Sequence, residues 1–150
     1  MEVYVLEYST DDDIKKTTLS ASWNVQKRHS YTDVAANNCN LPNGCVILII
    51  AHGNNSEIGN ASSGVVDYDP KKLLTSIKSN MAPSAAPKKI YLSVCQDARS
   101  GIAAFAAKLS GEITSVKEHA FKGAVIAGHN KGISGSVPPP KGVEWFEIYP

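Results

Sequence analysis

The sequence lacks an excess of charge, a long apolar run and a large set of cysteines. Its 15 basic and 14 acidic residues give a formal net charge of +1, which argues against a nucleic-acid partner. No apolar run reaches membrane-spanning length, and the N-terminus shows no signal-peptide pattern. Because three cysteines cannot all pair within one chain, we expect reduced thiols and a soluble protein of a reducing compartment, the cytoplasm, or a secreted effector. A Cys39–Cys45 bridge is the alternative in an oxidising compartment.

Several ligand-binding motifs are also missing. The glycine-rich segment 128–136 contains neither the G-x-x-x-x-G-K-[ST] of a phosphate loop nor the G-x-G-x-x-G of a dinucleotide site. The G-x-S-x-G elbow of serine hydrolases is absent. Cys39 and Cys45 do not have the close-paired spacing of zinc ligands. We therefore expect no cofactor and no metal site, and the sequence does not indicate an oligomeric state.

What the sequence does contain is an alternation of strand and helix patterns. Its 150 residues, 43% of them hydrophobic, suffice for one α/β domain spanning 1–150, with a mostly parallel sheet flanked by helices in three layers. Strands are predicted over residues 2–8, 46–51, 65–66, 89–94, 122–128 and 143–149, the last at a sheet edge. Helices are predicted over residues 31–37, 70–81 and 101–109, with Ser100 as a cap and Gly111 at a C-terminus. For residues 14–26 an extension of the first strand, a hairpin and a frayed helix remain open.

Two predicted strands end in residues that can carry chemistry. Val46–Ala51 continues into His52 and Gly53, and Lys89–Val94 continues into Cys95. Unbroken apolar strands are typical of parallel sheets covered on both faces, and one crossover helix between them predicts that they are adjacent. Ligands of such sheets bind beyond the carboxyl ends of the strands. We therefore expect the imidazole and the thiol to face each other across a crevice, as in nucleophilic catalysis.

This pair of strands, ending in His52-Gly53 and in Cys95, resembles the caspase-like (clan CD) cysteine peptidases. That superfamily includes caspases, legumains, gingipains and the self-processing cysteine peptidase domains of bacterial toxins, which are nearest in appearance. The resemblance covers residues 44–128 and implies a peptidase that acts on a peptide or protein. It implies Cys95 as the nucleophile, His52 as the general base and acid, and the N–H groups of Gly53 and Cys95 as the oxyanion hole. The caspase signature Gln-Ala-Cys-x-Gly is absent, since Ser93-Val94 precede Cys95.

Two further residues are candidates for substrate binding. Asp97 could select a basic side chain of the substrate or cap a helix, and His129, at the end of a predicted strand, could line the same crevice or be a polar loop residue. The loops 54–64 and 131–141 are rich in Gly, Ser, Asn and Pro, so they are expected to be more mobile than the strands. The alternatives to a peptidase are a catalytically inactive caspase-like binding or regulatory module and a flavodoxin-like small-molecule binder.

Overall fold

The computed structural model describes residues 2–62, 64–95, 99–115, 125–129, 137, 140 and 145–148. The elements follow in the order β1 (Glu2–Glu7), α1 (Asp12–Lys15), β2 (Asn24–His29), α2 (Tyr31–Ala35), β3 (Val46–Gly53), β4 (Ile58–Gly59), β5 (Asp67–Tyr68), α3 (Pro70–Ser79), β6 (Lys89–Cys95), α4 (Arg99–Ser115), β7 (Val125–His129) and β8 (Phe146–Ile148). Among these helices, none combines the length and the hydropathy needed to cross a bilayer.

The fold is α/β, with a mixed open sheet flanked by helices. The sheet order is β2-β1-β3-β6-β7-β8, and the short β4 joins β3 to β5 off this path. Strands β2, β1, β3, β6 and β7 are paired in parallel, whereas β8, β4 and β5 pair antiparallel. The prediction of a mostly parallel sheet is therefore corrected. A parallel pair needs a long crossover, but the chain returns from β3 to β4 through a tight turn, which only an antiparallel pair permits.

The two strands predicted to be central are adjacent and parallel. Their register runs from Val46↔Lys89 to His52↔Cys95. Crossover helix α3 begins as predicted, because the Asp69 carboxylate accepts a 2.7 Å hydrogen bond from the Lys72 N–H and Pro70 occupies the first turn. The prediction that β3 and β6 are adjacent and parallel, with their carboxyl ends side by side, is therefore confirmed.

The sheet buries a different cluster on each face. On the first face, which we call the helical face, side chains of α2, α3 and α4 pack against alternate residues of the central strands, including Ile49 and Ala51 of β3. On the opposite face, Leu48 and Ile50 pack with Ile14 of α1 and with the aromatic residues Trp23, Tyr91 and Trp145. Because side chains alternate along a strand, His52 continues the row of Leu48 and Ile50 on this opposite face.

Other elements differ from the predictions. Segment 14–26 contains the end of α1 and the start of β2, a separate strand parallel to β1, rather than an extension of the first strand, a hairpin or a frayed helix along its length. Helix α4 includes Ser100 and continues through Gly111 to Ser115, because the buried Ile113 extends its apolar stripe. The predicted short helix at 31–37 is confirmed as α2. The predicted edge strand 143–149 is confirmed as β8 over Phe146–Ile148, and residues 143, 144 and 149 lie outside the described part.

The region after β3 is more ordered in structure than its composition suggests. Val65 and Val66, predicted as a strand, lie in a turn instead, and β5 follows them. Strand β4 forms inside the predicted loop 54–64. Gly59 makes this return feasible, since its φ is +154° and a Cβ atom there would lie 1.7 Å from the Val66 carbonyl oxygen. The turn and the two short strands therefore build a hairpin beside His52.

Candidate functional site

The imidazole of His52 lies at the carboxyl end of β3 with 15% of its side chain exposed. Its Nε2 atom is 2.9 Å from Oδ2 and 3.0 Å from Oδ1 of Asp13, and 3.5 Å from Oδ2 of Asp11. In the neutral ring this contact places the proton on Nε2, which donates to the Asp13 carboxylate. Nδ1 is then the nitrogen that can accept a proton.

The loop that carries the two aspartates is fixed by the region after β4. Asn60 Oδ1 accepts hydrogen bonds from the Ser9 hydroxyl at 2.6 Å and from the Thr10 N–H at 2.8 Å, and its Nδ2 donates to the Thr10 hydroxyl at 2.8 Å. The Ala61 N–H donates to Asp11 Oδ2 at 2.8 Å. Since β4 also pairs with the end of β3, the loops after β1 and β3 hold each other in place around the imidazole.

The guanidinium of Arg28 fixes helix α1 in position. Arg28 of β2 donates from Nη1 to the Thr17 carbonyl at 2.6 Å, from Nη2 to the Ile14 carbonyl at 3.0 Å, and from Nε to Glu7 Oε2 at 2.6 Å. Ile14 itself is fully buried beneath the sheet. These contacts fix the position of α1, and with it the Asp13 carboxylate beside His52.

Gly53 has a packing role that the sequence did not reveal. A Cβ atom at this position would lie 2.6 Å from Val94 Cγ1 and 3.0 Å from the Glu57 carbonyl oxygen. The Asn54 N–H donates to that same carbonyl at 2.9 Å. Hydrogen-bonded and non-hydrogen-bonded pairs alternate along an antiparallel ladder, so the next pair, Gly53 and Ile58, is non-hydrogen-bonded. The Gly53 N–H therefore does not point at β4.

The remaining predicted site residues are placed by their backbone or not at all. Cys95 ends β6 with its Cα atom in register with that of His52, and its side chain lies outside the described part. Asp97 also lies outside it. His129 ends β7 in register with Ser93, and only its backbone is described. The structure thus brings the positions of His52 and Cys95 together at one edge of the sheet.

Asp11 and Asp13 are the site residues that sequence reasoning missed. By their sequence alone, both are favourable charges for the start of a helix, and they do lie at the N-terminus of α1. The available signal was their position directly after β1, since polar residues that follow parallel strands meet at the same edge. What the sequence did not show was that β1 is the strand next to β3.

The other cysteines lack the features of a nucleophile. Cys39 and Cys45 are free thiols, 8% and 7% exposed. Burial raises the pKa of each thiol to about 11, so both stay protonated at neutral pH. One cavity of about 710 Å³ lies beside Cys45 at the amino ends of β1 and β3, where Glu2 and Lys88 also line it. The cavity therefore lies at the opposite end of the strands from His52.

Comparisons with models of known protein families, with curated proteins and with solved structures find no match to this chain. The chemistry of the site is therefore inferred from its own geometry. That geometry consists of an imidazole oriented by a carboxylate, next to a strand that ends in a cysteine.

Proposed function

We propose that this chain is a caspase-like cysteine peptidase in which Cys95 attacks the substrate carbonyl and His52 moves the proton. The observation that supports this most is the register of β3 with β6, in which these two residues are partners at the carboxyl ends of adjacent parallel strands. Such strands lie about 4.8 Å apart. Strand alternation assigns position 95 to the face of Tyr91, which is also the face of His52. The register thus supports a pairing of the two residues through their backbone positions.

Asp13 is the proposed third member of the site. A base that is oriented by a third group is the general arrangement of an activated nucleophile. With Nε2–H donated to Asp13, Nδ1 accepts the proton of the Cys95 thiol, and the nearby carboxylate stabilises the imidazolium that forms. The exposed Asp13 side chain, 55% accessible, gives a weaker effect than a buried carboxylate.

The reaction then follows two acyl-transfer steps. The thiolate of Cys95 attacks the peptide carbonyl carbon, and the oxyanion is stabilised by the N–H groups of Gly53 and Cys95. The first of these N–H groups lies on the side of β3 that faces β6 rather than β4. The imidazolium of His52 protonates the leaving amine, and the thioester remains. Water, deprotonated by the same imidazole, hydrolyses the thioester and restores the thiol.

The surroundings of the site agree with this proposal. Helices α2, α3 and α4 cover one face of the sheet, and the one-turn helix α1 lies on the other. Cys39 and Cys45 are both free, which is compatible with the proposed reducing compartment. Asp97 and His129 remain predictions as substrate-contacting residues.

The test is turnover of a peptide library by matched variants. Cys95→Ala and His52→Ala should abolish cleavage. Asp13→Asn should lower kcat by about 10- to 100-fold, less than the loss known for a buried orienting carboxylate. Asp12→Asn is the matched control, because Asp12 is the exposed neighbour that lies outside the His52 cluster. Cleavage that survives Cys95→Ala, or equal losses in the two aspartate variants, would contradict the proposal.

A further inference from the structure

Asp11, Asp13 and His52 direct three metal-ligating groups at one point. One ring nitrogen and two carboxylate oxygens all lie within 4.8 Å of one another. We propose that this cluster binds a divalent cation of the zinc type and that the bound cation switches off the thiol. The binding rests on the cluster alone, whereas the inhibition rests on the proposed function.

The distances from the imidazole nitrogen to the two carboxylates fit a common metal ion. Zinc lies about 2.0–2.1 Å from imidazole nitrogen and about 2.0–2.2 Å from carboxylate oxygen, so donors that share one ion at angles of about 90–110° are about 3.0–3.4 Å apart. The separations of His52 Nε2 from Asp13 Oδ2 and Asp11 Oδ2 are 2.9 and 3.5 Å. Both distances from the imidazole nitrogen are therefore close to those of donors that share one ion, and all three donor atoms lie within 4.8 Å of one another.

The charges around the ring also favour a cation. Two carboxylates converge on a nitrogen that can donate only one hydrogen bond, and Asp11 Oδ2, which accepts the Ala61 N–H at 2.8 Å, lies 3.5 Å from it. A divalent ion neutralises both carboxylates at once, and nitrogen with oxygen is a donor set that zinc accepts. The exposed fractions of 15% for His52, 30% for Asp11 and 55% for Asp13 leave the site open to solvent, which can supply a water ligand.

Metal binding at Nε2 would act on the base rather than on the nucleophile. Nε2 must give up its proton to bind the ion, and the neutral ring then carries its proton on Nδ1. Nδ1 can no longer accept a proton from Cys95. The Asp13 carboxylate is bound to the metal and no longer orients the ring. Zinc would therefore inhibit the enzyme without forming a bond to sulfur.

The binding is tested by titrating zinc chloride into the metal-free chain under calorimetry. The Cys95→Ala and Asp12→Asn variants should each bind one zinc ion with the affinity of the unsubstituted chain. Asp13→Asn and His52→Gln, which keep the side-chain size close to the original, should weaken binding about tenfold or more. Circular dichroism melting of each variant identifies any that is unfolded. Loss of binding in Cys95→Ala, equal affinity of Asp13→Asn and Asp12→Asn, or no zinc binding at all would overturn the site.

The inhibition is tested on the same chain by alkylation of Cys95 with iodoacetamide. Zinc should slow the reaction and a chelator should restore its rate, with the Cys95→Ala titration showing that the ion is not held by the thiol. An alkylation rate that zinc does not change would overturn the inhibitory role. A chain that binds zinc but cleaves no peptide would contradict the peptidase and leave the metal site supported, so the two failures are distinguishable.

Discussion

Replacement of Arg28 by alanine should destabilise the protein and loosen the site at the same time. The guanidinium is 26% exposed and its partner Glu7 is 9% exposed, and it also serves the carbonyl groups of Ile14 and Thr17. Its removal takes a donor away from a nearly buried carboxylate and from two carbonyls of buried residues, of which the Ile14 carbonyl still accepts from the Thr17 N–H at 3.1 Å. We therefore expect the loss in the free energy of unfolding to exceed the loss from breaking an ordinary surface ion pair.

The expected loss in the free energy of unfolding lies between the losses in two reference cases. Breaking an exposed pair costs about 0–1 kcal/mol, and removing one partner of a buried pair costs about 3–5 kcal/mol. Because Arg28 is partly exposed, water can enter its place and satisfy some of the acceptors. The expected loss in the free energy of unfolding for Arg28→Ala is about 2–3 kcal/mol.

Urea unfolding measures this loss as a lower midpoint at unchanged slope. Lys27→Ala is the matched control, since it removes a cation from an exposed position of the same strand and should change stability by about 0.5 kcal/mol or less. Glu7→Gln combined with Arg28→Ala should lose less than the sum of the two single losses. A loss below about 0.5 kcal/mol for Arg28→Ala would refute the anchoring role of this residue.

Two further substitutions test the hairpin and the buried histidine. Gly59→Ala should cost more than about 3 kcal/mol in the free energy of unfolding, because its Cβ would meet a backbone oxygen, whereas Gly44→Ala, at φ +73° in open space, should cost about 1–2 kcal/mol. Equal losses in the two would contradict the clash. His29 is 2% exposed, its ring nitrogens have no hydrogen-bond partner among the described residues, and burial followed by repulsion from Lys27 lowers its pKa. The unfolded chain therefore binds the proton more tightly, so this histidine destabilises the fold as pH falls below 6.5. His29→Phe should raise the melting temperature more at about pH 5 than at about pH 8. An equal rise in melting temperature at both pH values would contradict this.

The parts of the fold that the sequence predicted are those in which local pattern and burial agree. Strand β3 is 0–5% exposed from Val46 to Ala51, as its unbroken apolar run predicts for a strand that is buried on both faces. Helix α3 carries both a capping aspartate and apolar residues at helical spacing. Helix α4 was predicted too short, because the cost of about 1 kcal/mol for a helical glycine at position 111 is small against the burial of Ile113.

The parts that were missed depend on contacts between distant segments. Strand β2 is an edge strand in which most side chains are exposed, so it has no apolar pattern. Strands β4 and β5 contain two residues each and exist because Gly59 allows a close backbone approach. Asp13 and His52 are 39 positions apart, and only the pairing of β1 with β3 brings them together. No local pattern contains that information.

The central claim, that Cys95 and His52 form an activated pair, is tested most directly by the alkylation rates of the three cysteines at neutral pH. Peptide mapping after limited iodoacetamide treatment should find Cys95 modified first, because burial raises the pKa of Cys39 and Cys45 to about 11 and keeps them as thiols. His52→Ala should slow the modification of Cys95 toward the rate of an ordinary exposed thiol. Modification of all three at similar rates in the folded chain, or a Cys95 rate unchanged by His52→Ala, would contradict the account.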